Sequence, residues 1–240
     1  MDQVLKEKVI LISGASRGIG RAVAKQLAAK GATLILLSRT LRDLESLHDE
    51  ILHANNPQPS ICGFNLCSAK PEDYDDLRRN IAKQYGRLDG VIHNAGILGS
   101  LTPLEYFNLQ TWYQVLQVNL NSTLMLTQAT LPLLKQAITG SIVFTLSEQS
   151  NTPKANWGAY AVADAGRNAF LQMLAAECEN LTNIRVNAVL PTKVKTSLRA
   201  EAYPAESNES LSDPANLGAH YVYLMSDESK HLNGTTITAG

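Results

Sequence analysis

Apolar residues along this chain fall into short unbroken runs separated by longer stretches in which they recur at helical spacing. Val9–Ser13, Thr33–Leu37, Ser60–Leu66, Leu88–His93, Ser141–Leu146, Ile184–Leu190 and Thr235–Thr238 are of the first kind. Several lack the polar alternation of a strand with one wet face, so they suit a parallel sheet covered on both faces. Helical patterns fill Gly18–Lys30, Leu41–Ala54, Pro71–Tyr85, Leu109–Gln136, Trp157–Leu181 and Pro214–Met225. Strand and helix in alternation impose right-handed crossovers. The expected fold is a single α/β domain over residues 1–240, doubly wound, with about seven parallel strands and helices on both faces. No linker, repeat or low-complexity block divides it, and the polar stretch Ala202–Asp213 is expected to be a loop that serves as a flap over a site.

Composition narrows the class of partner. With 240 residues, 45% hydrophobic and 18% charged, the chain can bury a sizeable core and lacks the signature of disorder. A net charge of −1 gives no general attraction for nucleic acid or anionic lipid, which leaves a small molecule as the expected partner. Cys62, Cys67 and Cys178 are odd in number and show no metal-ligand spacing, as in thiols of a reducing compartment; no metal is expected. No secretory leader is read, because Lys6 and Lys8 precede only the short run Val9–Ile12. The apolar stretch Leu124–Leu134 is broken by Thr127, Gln128, Thr130 and Pro132 and is too short to span a bilayer. Together these features predict a soluble, cytoplasmic protein.

Candidate chemistry begins directly after the first apolar run, with Gly14-Ala15-Ser16-Arg17-Gly18-Ile19-Gly20 opening a helix. Residues without Cβ permit the tight turn and let a pyrophosphate approach the amides at a helix N-terminus. A NAD site needs an acid at the end of the second strand to accept the ribose hydroxyls. Here stand Ser38 and Arg39. A small hydroxyl beside a guanidinium, with Arg17 on the same side, favours a 2′-phosphate, so NADP(H) is expected over NAD(H). Farther along, Ser147 ends a strand and Tyr160 opens a helix, which puts both at the carboxyl edge of the sheet. Hydride delivery to a carbonyl leaves an alkoxide, and a Ser hydroxyl beside a Tyr phenol can both stabilise it and protonate it.

In this order and combination the residues resemble the classical short-chain dehydrogenases/reductases, whose fold is of Rossmann type. The resemblance runs from the glycine loop through Asn94-Ala95-Gly96, Asn119 and Ser147 to Tyr160. It implies that Gly14, Ser16, Arg17, Gly18, Ile19, Gly20, Ser38 and Arg39 bind the cofactor. Asn65 and Leu66 would lie near the adenine, and Asn94, Ala95, Gly96 and Thr196 would line the cofactor. Asn119 would hold a proton-relay water, Ser147 polarise the substrate carbonyl and Tyr160 act as acid and base. A homodimer or homotetramer is also implied, in keeping with apolar residues beyond one stripe on Leu109–Gln136 and Trp157–Leu181.

Asn65, where the family often has Asp, is a mild departure from that pattern, and two further positions depart from it more strongly. Four residues after Tyr160 the family carries a Lys that favours phenolate and holds the nicotinamide ribose; this chain has Asp164. An ionised carboxylate there raises the phenol pKa, and proton transfer is expected to suffer more than nucleotide binding. After the sixth strand Pro191-Thr192 stands where Pro-Gly is common, and Lys193 and Lys195 follow as candidate replacement cations, with solvated side chains the expected outcome. Two classes of function stay open on these residues: an NADP-dependent carbonyl reductase or alcohol dehydrogenase, and a catalytically silent NADP-binding protein that interacts or senses.

Overall fold

Five consecutive residues, Val9 to Ser13, are all buried, as in a strand covered from both sides. The computed structural model describes residues 3–179 and 183–240. In it this run is β1 (Val9–Ser13), inside a seven-stranded sheet with β2 (Thr33–Ser38), β3 (Ser60–Gly63), β4 (Gly90–His93), β5 (Gly140–Thr145), β6 (Ile184–Pro191) and β7 (Thr236–Ala239). The order is β3-β2-β1-β4-β5-β6-β7, and every pairing is parallel. The direction of winding reverses between β1 and β4, which opens a crevice at the carboxyl ends of those strands.

Helices α1 (Gly18–Ala29), α2 (Leu41–His53), α3 (Pro71–Tyr85), α4 (Leu109–Leu116), α5 (Ser122–Leu134), α6 (Gly158–Cys178), α7 (Ser197–Ala202) and α8 (Gly218–Met225) cover the two faces. Alternation along β1 divides the core. Ile10 and Ile12 pack with Val23 and Leu27 of α1, Leu44 of α2 and Leu224 of α8. Leu11 faces the other way and shares a layer with Leu77 of α3, Leu126 of α5 and Leu171 of α6. Each such fully buried aliphatic side chain contributes about 1.5–3 kcal/mol relative to exposure. Among the described residues no helix is long and apolar enough to cross a membrane.

Differences from the sequence reading have local causes. The third strand ends at Gly63 because its partner β2 ends opposite it, at Ser38, and Asn65 then accepts the Cys67 amide in a turn at 3.1 Å. Regular pairing of β4 starts at Gly90, since the Asp89 carboxylate takes the Val9 amide at 2.9 Å. The expected helix Leu109–Gln136 is interrupted by a π-turn at Gln117–Asn121, and the short α7 was not expected. Pro214–Leu217 is a 3-10 turn leading into α8. The sequence-predicted helix end at Leu181 lies outside the described residues.

Candidate active site

The turn from β1 to α1 is compressed until only glycine fits. Gly14 has φ +68°, and a Cβ on it would lie 2.8 Å from Ala95 Cα; one on Gly20 would lie 2.2 Å from the Gly14 oxygen. Asn94 Nδ2 donates to that same oxygen at 3.1 Å. Arg17 caps α1 without any side-chain hydrogen bond, and the first turn holds no acid. The first amides of α1 therefore lack a side-chain cap, and Arg17, Gly18 and Ile19 there line a cleft of about 510 Å3.

At the end of β2, Ser38 Oγ donates to Ser16 Oγ at 2.9 Å. Arg17 and Arg39 are exposed on the cleft. Arg21, by contrast, is held by Glu50 at 2.7 Å. Asn65, Leu66, Asn94, Ala95, Gly96 and Thr196 complete the part of the wall anticipated from the sequence.

Ser147, Tyr160 and Asn119 also face the cleft. Ser147 donates its hydroxyl and its amide to one oxygen of Asp164, both at 2.7 Å. Its Oγ accepts the Gln149 amide at 3.2 Å. The Tyr160 phenol is pushed up to about 12, first by burial and then by the Asp164 charge, the direction expected from the sequence. Burial also pushes the Asp164 carboxyl up, against the pull of Arg167 and Ser147. Asn119 sits in the π-turn with both ends of its side chain on Ile97: Nδ2 donates to the Ile97 oxygen and Oδ1 accepts the Ile97 amide, each at 2.9 Å.

Two anticipated residues are not on the cleft surface. Gly20 packs behind the glycine turn, and Asp164, 4% exposed, lies behind Ser147. Lys193 and Lys195 are exposed and do not line this cleft. A buried cation on the cleft wall is Arg167, 5% exposed, which sequence reasoning missed. Its Nη1 is 3.6 Å from Asp164 Oδ1, its Nη2 donates to the His93 oxygen at 2.7 Å, and its guanidinium lies 5.9 Å from the centre of the Phe144 ring. The available signal was spacing, since positions 160, 164 and 167 share one helix face. Trp157 and Tyr203 were missed as well; their rings stand 5.8 Å apart on the wall. Arg199 grips Glu206 at 2.6 and 2.8 Å and stacks 3.9 Å over Tyr203, which anchors the start of the expected flap.

A parallel sheet of this order, with a glycine turn at its switch point, defines a protein of Rossmann type. A family model described as short chain dehydrogenase matches residues 8–207. The Escherichia coli K12 protein YciK, described as an uncharacterized oxidoreductase, is 41% identical over 236 residues, covering 98% of this chain and 93% of its own. A short chain dehydrogenase structure from Shigella flexneri 2a str. 301, complexed with NADP, superposes with a TM-score of 0.96 at 39% identity, covering 99% of each chain. One from Escherichia coli CFT073, complexed with NADPH, gives 0.95 at 40% identity, again covering 99% of each. The chain belongs to the short-chain dehydrogenase family.

Proposed function

We propose that the protein is an NADP(H)-dependent oxidoreductase that transfers a hydride to or from a small carbonyl or alcohol substrate. The observation that carries this reading is the meeting of Tyr160, Ser147 and Asn119 on the same cleft as the uncapped N-terminus of α1. The site fits the dinucleotide on its own geometry. A Cβ at Gly14 or Gly20 would strike neighbouring main chain, and the free amides of the helix start suit a pyrophosphate. Gly14, Ser16, Arg17, Gly18 and Ile19 would hold that group. Arg17 and Arg39, with the hydroxyl of Ser38 between them, would receive a 2′-phosphate, and Asn65 and Leu66 the adenine. Asn94, Ala95, Gly96 and Thr196 would border the nicotinamide side. The NADP and NADPH complexes of the two similar proteins support the same cofactor.

Bound NADPH supplies the hydride, and the remaining work falls to the chain. Tyr160 delivers a proton to the substrate oxygen as negative charge develops there, or removes one in the oxidising direction. Trp157 and Tyr203 offer the substrate an aromatic wall. Asp164 occupies the place that the resemblance gives to Lys and raises the phenol pKa. That placement favours a second reading, an NADP-binding protein without turnover. NADPH oxidation across a panel of ketones and aldehydes, with Tyr160→Phe as the blank, separates the two. Tyr160-dependent turnover is expected, and tight NADPH binding with no turnover on any carbonyl would establish the second.

A homodimer or homotetramer belongs to the same proposal. Leu109 and Tyr113 on α4 are 67% and 62% exposed, and Met173 on α6 is 57% exposed. Apolar surface of this kind on neighbouring helices suits a symmetric partner.

A further inference from the structure

The hydroxyl of Ser147 has its hydrogen already assigned. Its Oγ lies 2.7 Å from Asp164 Oδ2 and 3.2 Å from the Gln149 amide nitrogen, and the second of these is a donor. The hydrogen therefore points at Asp164, since the amide cannot accept it. Asp164 Oδ2 also receives the Ser147 amide at 2.7 Å, a short contact suited to a bare, charged oxygen. Arg167 faces Oδ1 at 3.6 Å, which favours the ionised form. One carboxylate oxygen thus holds both donors of one residue.

A hydroxyl carries one hydrogen and two lone pairs. At Ser147 the hydrogen belongs to Asp164 and one lone pair to Gln149, so a single lone pair remains for the cleft that the residue lines. Tyr160 lines the same cleft with a phenol that keeps its proton at neutral pH. Between them the two side chains hold one hydrogen for a ligand oxygen and not two. A carbonyl oxygen only accepts, so when it takes that hydrogen it leaves the Ser147 lone pair without a donor. A hydroxyl accepts from one group and donates to the other, and both are satisfied.

Resting on the reading of the cleft as an oxidoreductase site, we propose that Ser147 is a hydrogen-bond acceptor for the substrate, fixed in that role by Asp164, and that the NADP+-bound site selects a neutral alcohol over the corresponding ketone. Asp164 is then a positioning residue. The part that the resemblance gives to Ser147, donation to a substrate carbonyl, is reversed. Among the charged residues of the wall, Arg167, Glu148 and Arg199 are paired with Asp164, Lys154 and Glu206, which suits a ligand without charge. The rings of Trp157 and Tyr203, 5.8 Å apart on the wall, suit an apolar or aromatic body attached to the hydroxyl.

The test has one arm without ligand and one with it. Neutron diffraction from deuterium-exchanged crystals of the protein alone locates the Ser147 hydroxyl deuterium. It should lie between Oγ and Asp164 Oδ2, and a deuterium turned to the cleft overturns the proposal. In the second arm the NADP+ complex is titrated calorimetrically with a ketone turned over in the carbonyl panel, and with the tertiary alcohol made by adding a methyl group to its carbonyl carbon. Acetophenone and dimethylphenylcarbinol are the first pair. Neither can give a hydride to NADP+, so both report binding alone.

Ser147→Ala should weaken the alcohol at least about threefold and leave the ketone within about twofold, as expected for one lost hydrogen bond. Asp164→Ala frees the Ser147 hydrogen and should narrow the alcohol preference by a similar factor. Asp164→Asn keeps an oxygen for both Ser147 donors and should retain the preference. Equal losses for alcohol and ketone in Ser147→Ala overturn the proposal. If the variants do not fold, the wild-type complex should bind the methyl ether of the alcohol, which has no donor, at least about threefold more weakly than the alcohol itself, and equal affinities overturn the proposal. If the panel yields no turnover and neither probe binds, the oxidoreductase reading fails instead, and the deuterium position decides the role of Ser147 by itself.

Discussion

Arg167 Nη2 donates to the main-chain oxygen of His93 at 2.7 Å, which ties the middle of α6 to the carboxyl end of β4. The same guanidinium faces Asp164, so one buried cation both anchors a helix and balances a buried acid. Removing it alone leaves a charge without compensation. Arg167→Met is expected to cost about 3–5 kcal/mol in urea unfolding. Adding Asp164→Asn should return part of that loss, with a coupling of about 0.5–3 kcal/mol. Additive effects in the double-mutant cycle would show that the pair does not act as a unit.

His93 gives a pH prediction. Burial first and the Arg167 charge second lower its pKa from 6.5 to about 3. The unfolded chain therefore binds a proton that the native state refuses between those values. The resulting stability is fully present above pH 6.5 and is lost as pH falls toward about 3, at up to about 1.4 kcal/mol per unit. His93→Gln, which retains a partner for Thr127, should flatten the acid limb of stability against pH. An unchanged slope in denaturant titrations between pH 7 and about 4.5 would assign that limb to other groups.

Arg39 is exposed on the cleft beside Ser38, and no acid ends β2. Arg39→Ala should weaken NADPH binding by about 1.5–3 kcal/mol, the range of a charge-assisted hydrogen bond, and leave NADH nearly unchanged. Calorimetric titration of both nucleotides checks this. Equal losses for the two would remove the 2′-phosphate from the explanation.

At Gly20 a Cβ would press on the Gly14 oxygen at 2.2 Å and the Asn94 amide nitrogen at 2.5 Å. Gly20→Ala should therefore cost about 1–3 kcal/mol and also loosen nucleotide binding, since the turn must open to admit the methyl group. Thermal unfolding with and without NADPH measures both effects.

Static light scattering checks the assembly. A particle at a multiple of 26.1 kDa is expected at micromolar concentration, and Tyr113→Lys should shift it toward the monomer mass. A wild-type particle of 26.1 kDa would refute the oligomer.

Much of the fold was legible because its signals are local. Short unbroken apolar runs such as Val9–Ser13 and Ile184–Leu190, bounded by turn residues, suit strands of a covered sheet, and Gly14 to Gly20 announces the turn that follows the first. The π-turn at Gln117–Asn121 was invisible because one extra residue per turn does not disturb an apolar pattern already broad on that helix. Ser38 was picked out by its place at a strand end and Asn94 by the family resemblance, and both stand on the cleft wall. Arg167 was not: a lone charge on a helix normally reads as solvated. Its partners lie far away in sequence, at the His93 oxygen and the Phe144 ring. Asp164 was recognised as the anomaly, but only the folded chain puts its carboxylate behind Ser147.

The strand order carries a further implication for how the chain is made. β1 pairs on one side with β2, and on the other with β4, where Ile10 meets Gly90. During synthesis the first three strands can assemble as a half-sheet, yet the Val9–Ser13 edge facing β4 stays open until residue 93 has left the ribosome. An apolar, unpaired edge exposed for that interval invites strand addition from other chains. Aggregation during expression is thus expected to respond more to substitutions that slow the docking of β4, such as at Asp89 or Val91, than to equal losses of stability at the β7 end of the sheet.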